Sequence, residues 1–201
     1  LASNFTILSV SRWTGGGNAR LITSKDRNWI FGYYSGNDTF YFGGWVRPPG
    51  GSANTNWNLH AATMNSSDQA NTWVNFVQTT INGNGAHNSN YAPSKLSFGA
   101  YDTLVQPSKG EIAELLVFDT VISTSDRQKL EGYLAHKWGL TDQMPSGHPA
   151  KLSGWSVGRN VLENNDLSVN IAGIGGSKTA SHSTALSTDN QWHHIVSTYD
   201  G

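Results

Sequence analysis

The chain has 201 residues, enough for one globular domain with a real core or one domain plus part of another, and too few for a large multidomain enzyme. Only 13% of residues are charged, and 13 Lys and Arg nearly balance 14 Asp and Glu, which argues against nucleic acid and against a polybasic membrane partner. Cysteine is absent, excluding disulfides and thiolate metal or redox sites, and no apolar run reaches the ~20 residues a membrane-spanning helix requires. Polar weight sits in Gly, Ser, Asn and Thr, alongside 8 Trp, 7 Tyr and 7 Phe, a mixture suited to strands and turns with aromatic anchors.

In chain order, strands are predicted at Phe5–Trp13, Ala19–Ser24, Trp29–Tyr34, Thr39–Val46, Trp57–Met64, Thr72–Gln78, Lys95–Ala100 and Glu111–Asp119. Turn-forming clusters separate them, among them Ser35-Gly36-Asn37-Asp38 and Pro48-Pro49-Gly50-Gly51. One helix follows. Ser123 stands three residues before Asp126, as in a capping box, and Gly139 sits where a left-handed residue closes a helix. Leu130, Tyr133, Leu134 and Trp138 recur between them at three- and four-residue spacing, predicting an apolar stripe laid on the sheets.

After the helix, the prolines of Met144-Pro145-Ser146-Gly147-His148-Pro149 force an extended path. Strands resume at Gly154–Arg159, Leu167–Ile174, Ser183–Ser187 and Gln191–Tyr199. The charge balance does not change there, so a boundary between residues 1–150 and 151–201 rests on the proline-rich tail. The expected fold class is all-β, a sandwich or jelly roll with one short helix.

Two stretches carry a family resemblance. The strand Phe5–Arg12 with Asn28-Trp29-Ile30-Phe31-Gly32 and Gly43-Gly44-Trp45-Val46 forms the first. Gly110–Asp119, Ser123, Asp126, Arg127, Glu131–Leu140 and His148-Pro149 form the second. Together they resemble the laminin-G-like, concanavalin A-like lectin/glucanase jelly-roll modules of large secreted and surface proteins of bacteria. Trp192–Gly201 is similar to an interior strand of a second such module. The resemblance implies a module lacking its first strands at 1–150 and part of a second at 151–201. With no initiator Met, the chain is expected to be a piece of a longer array. A sandwich short of a strand exposes unpaired backbone along an edge. Strands from 151–201 are therefore expected to complete the first sandwich, within one chain or by exchange in a homodimer.

The residues offer little catalytic chemistry. A retaining glycosidase on this fold needs two carboxyl groups about 5–5.5 Å apart. Glu111 and Glu114, three apart on one strand, should face opposite sides unless a bulge intervenes. His193-His194 are adjacent on a strand and face apart, and no His-x-x-x-His, Gly-x-Ser-x-Gly or dinucleotide-type glycine motif occurs. No cofactor is expected beyond calcium, for which Asp26 with Asn28, Asn37 with Asp38, and Asp102 offer oxygen donors.

Binding chemistry is better served by the aromatics between Tyr33 and Trp57, because sugar rings present flat apolar faces that Trp and Tyr can support. The loop-proximal Tyr34, Trp45 and Trp57, with Arg47, are the expected ligand contacts. The reading is a noncatalytic carbohydrate-binding or adhesion module, lectin-like and extracellular or cell-surface, with a glycan or cell-surface protein as partner. A glucanase or polysaccharide lyase on the same fold, or a purely structural spacer, are the alternatives.

Overall fold

The structure, a computed structural model, describes residues 1, 3–15, 20–50, 53–81, 88–102, 105–152, 154–160, 166–173 and 176–182, with backbone alone from residue 152 onward. It divides into two compact units, Leu1–Ser146 and Gly147–Gly201, each described by itself.

The first unit is an antiparallel β-sandwich. Its strands are β1 (Phe5–Trp13), β2 (Ile22–Ser24), β3 (Trp29–Tyr34), β4 (Asn37–Phe42), β5 (Trp45–Arg47), β6 (Asn58–Met64), β7 (Ala70–Val74), β8 (Val77–Gln78), β9 (Leu96–Phe98) and β10 (Gly110–Phe118). One sheet runs β10-β1-β6-β7-β8 and the other β5-β4-β3-β2-β9, five strands each. The all-β expectation holds. Two segments expected as single strands are hairpins instead. Thr39–Val46 reverses at Gly43, whose φ is +75°, and Thr72–Gln78 reverses at Asn75 and Phe76, both at positive φ. Hydrophobicity runs unbroken through both turns, so periodicity alone does not reveal them.

Between the sheets, alternate residues interdigitate as an aromatic core. Trp29 stacks on Phe31 and Phe42, with ring centroids 6.0 and 5.3 Å apart, and Phe5 meets Trp29 and Phe42 edge-on. Towards one end this layer turns polar. His60, fully buried, lies edge-on to Phe31, Tyr33 and Phe40, with Nε2 3.1 Å from Asp38 Oδ1. Tyr33 Oη donates to the Ser11 carbonyl and accepts from Asn58 Nδ2, and Asn75 Nδ2 donates to Asn58 Oδ1.

Helix α1 (Thr124–Trp138) lies on the outer face of the first sheet, against β1 and β6. Ser123 Oγ accepts from the Asp126 amide, and Gly139 at φ +69° ends the helix, so both predicted caps are present. The buried stripe differs from the expected one. Arg127, Glu131, Gly132, Leu134 and Ala135 face the sheet, while Tyr133 and Trp138 are exposed. Arg127 and Glu131, one turn apart, form a buried ion pair. A charge pair satisfied in this way packs as core, and apolar spacing does not detect it.

In the second unit β11 (Gly154–Asn160), β12 (Asp166–Gly173) and β13 (Gly176–His182) form an antiparallel three-stranded sheet. β13 was not expected. Strands expected at Ser183–Ser187 and Gln191–Tyr199 lie outside the described residues.

Candidate functional site

The outer face of the β5-β4-β3-β2-β9 sheet gathers aromatic side chains. Register sets which ones: Trp29, Phe31, Phe40, Phe42 and Val46 point into the core, so Tyr34, Tyr41 and Trp45 alternate to the opposite side. A bulge between Phe40 and Tyr41 brings Tyr41 opposite Trp45. Their rings meet edge-on at 4.8 Å, and the Tyr34 ring lies 6.3 Å from Trp45. All three rings are half-buried.

Arg20 anchors this cluster from one side. Its guanidinium sits 5.6 Å from the Tyr34 ring centre and 4.6 Å from that of Tyr101, and its Nε donates to Gln106 Oε1 at 2.6 Å. Burial lowers the Arg20 pKa from its ordinary value, opposed by the nearby tyrosines Tyr34, Tyr101 and Tyr41. Among the described residues, buried Arg20 Nη1 finds no hydrogen-bond partner. The guanidinium therefore works as a flat, cationic brace between two phenols rather than as an ordinary surface charge.

Of the four expected contacts, the structure brings Tyr34 and Trp45 together, while Arg47 lies on β5 opposite the core residue Phe40. Trp57 precedes β6 in the other sheet, where the Arg12 guanidinium stacks 4.8 Å above its ring. Sequence reasoning did not single out Arg20, Tyr41 or Tyr101. Tyr41 was legible as a neighbour of Tyr34 by strand alternation. Arg20 and Tyr101 meet only through tertiary folding, and no local pattern announces them.

The acidic pair on β10 corrects a second expectation. Glu114 lies opposite Val10 and Ile112 opposite Ser11, so Ala113 is an extra residue and a bulge intervenes. Glu111 and Glu114 consequently both face the helix side. Glu111 binds Arg12, with Oε2 2.8 Å from Nη2. Glu114 accepts from Trp138 Nε1 at 2.7 Å and Tyr133 Oη at 3.1 Å, and pairs with Lys137 at 3.0 Å. Desolvation works to raise the Glu114 carboxyl, but the Trp138, Lys137 and Tyr133 donors outweigh it and hold the pKa below its usual value. A general acid requires the opposite shift, so Glu114 is suited to fastening the helix.

Three of the expected calcium donors, Asp26, Asn37 and Asp38, are engaged locally. Asp26 accepts from Ser94 and Ser24 hydroxyls, Asn37 donates to the Ser35 carbonyl, and Asp38 faces His60. Among the described residues, no three of His, Asp and Glu converge on one point.

No protein-family model matches the chain, and no curated protein matches it. Solved structures do. A receptor-binding domain is similar at 14% identity over 92% of this chain, with a TM-score of 0.46. The binding domain of botulinum neurotoxin DC, solved in complex with rat synaptotagmin II, is similar at 13% identity over 92%, with a TM-score of 0.45. The chain spans about three fifths of the length of these structures: 59% and 60% of them are covered.

Proposed function

We propose that this chain is a noncatalytic recognition module that binds carbohydrate through the outer face of the β5-β4-β3-β2-β9 sheet. The observation that carries this reading is the cluster of Tyr34, Tyr41 and Trp45 on the side of the sheet turned away from the core. An antiparallel sheet ordinarily shows polar residues there, and three packed rings give a rigid, amphipathic platform of the kind a pyranose stacks on. Arg47 and Asn37 supply hydrogen-bonding groups along the same strands. The setting that fits is a lectin-like or adhesive module of a larger extracellular or cell-surface protein, with a glycan borne on that surface as partner.

The test is a glycan array with the full chain, run in calcium and in chelator, repeated with Trp45→Ala and Tyr34→Ala. Binding is expected to fall by about tenfold or more in both variants, corresponding to loss of about 1.4 kcal/mol. Binding that survives both substitutions, or turnover of a bound glycan, refutes the reading.

A further inference from the structure

On the other side of the sandwich, a groove of about 270 Å³ opens between the outer face of the first sheet and the connection from β10 to α1. Its floor is set by cross-strand register. Thr63 of β6 lies opposite Asn71 of β7, and Trp73 of β7 lies opposite Gln78 of β8, so all four side chains emerge on the helix side. Val121, Ile122, Thr124 and Arg127 form the facing wall.

That wall is preformed. Thr6 Oγ1 donates to the Thr120 carbonyl and accepts from the Ile122 amide, pinning the connection to β1, and Arg127 donates to Glu131 while its guanidinium stacks 4.1 Å over Trp73. On the floor, Gln78 Nε2 donates to Asn71 Oδ1 at 3.0 Å. This bond fixes both amides and leaves Asn71 Nδ2 as a donor beside Gln78 Oε1 as an acceptor.

We propose that this groove binds a single neutral pyranose ring. Its volume falls just below the ~300–1,000 Å³ of small-molecule sites, which suits one ring and no more. Val121, Ile122 and the part of the Trp73 indole that Arg127 does not cover offer apolar surface for the C–H groups of a sugar. Asn71, Gln78, Thr63 and Thr124 offer alternating donors and acceptors for its hydroxyls. An anionic ligand is disfavoured because the lining cation, Arg127, is already neutralised by Glu131. A metal is disfavoured because no carboxylate lines the groove. A purely apolar ligand would strip water from four polar side chains without replacing it.

The experiment is a titration of the isotopically labelled full chain, following the Trp73 indole N–H by NMR and assigning it with Trp73→Phe. The probes are glucose, galactose, mannose and N-acetylglucosamine, with inorganic phosphate as the anionic control. At least one sugar is expected to shift the resonance saturably, Asn71→Ala and Gln78→Ala each to weaken binding by about tenfold, and Trp45→Ala to change nothing. No response to any sugar, equal affinity in both amide variants, competition by phosphate, or loss of the response in Trp45→Ala would each overturn the proposal. The last arm separates its failure from failure of the aromatic-face reading.

Discussion

Gly32 sits at φ +93° beneath the buried His60 ring, and a Cβ there would lie 3.4 Å from two atoms of the imidazole. Gly32→Ala therefore meets backbone strain, with the imidazole at ordinary contact distance, and is expected to cost about 1–3 kcal/mol in urea denaturation. Next to it, burial pushes the Tyr33 phenol well above its usual range while Asn58 and Ser11 bonds pull the other way. Tyr33→Phe removes the donor to the Ser11 carbonyl, while Asn58 Nδ2 keeps Asn54 Oδ1 and the Asn56 carbonyl, for an expected loss of about 0.5–1.5 kcal/mol by the same measurement. At the surface, the hydroxyl of Ser94 above all, together with Ser24 and the Lys95 amide, holds the Asp26 carboxyl far below the ordinary carboxylate range, against a smaller opposing effect of desolvation. A depressed folded-state pKa stabilises above the unfolded value of about 3.9, and this contribution is withdrawn as pH falls through the folded value. Asp26→Asn should accordingly be less stable than the parent at pH 6, with the difference shrinking as the solution is acidified towards pH 2.

Helix α1 shows what local patterning can and cannot convey. Its two ends were legible because capping is a short-range affair: Ser123, Asp126 and Gly139 each act within one turn. Ser123→Ala should cost about 1 kcal/mol in thermal or urea unfolding. Its buried face was misread because Arg127 and Glu131 look like solvent-facing charges in one dimension and become core only when they pair. Glu131→Leu alone strands a buried guanidinium and should destabilise by about 3–5 kcal/mol, whereas Arg127→Met with Glu131→Leu should recover most of that loss. The strands repeat the lesson. β1 and β3 were read to the residue from alternation and bounding turns, while the β4–β5 and β7–β8 reversals hid inside apolar runs. For the aromatic face, Tyr34 and Trp45 were legible because both lie on one stretch of chain. Arg20 and Tyr101 were not, since they join through β2 and the connection that follows β9.

At the scale of the first unit, β5 lies near β7 across the layer, and the long edge strand β10 pairs on one side only, with β1, among the described residues. Val117 alternates towards the inter-sheet layer with Leu115 and yet stays 41% exposed, and Phe98 on the edge strand β9 is 54% exposed. Such an edge recruits other strands. The full chain is expected to associate with rising concentration in analytical ultracentrifugation, and Val117→Lys to suppress this without altering cooperative unfolding. The extra residue in β10 has a further bearing on the whole. Ile112 and Leu115 reach the core while Glu111 and Glu114 emerge on the opposite face of the sheet, and each pair is three apart, so both demands are met only because Ala113 offsets the count by one. Ala113 thus works like a comma in the strand. Remove it and one half of β10 must turn over, sending either a carboxylate between the sheets or an isoleucine under the helix, which makes chain length at this position a more stringent requirement than the identity of the residue that fills it.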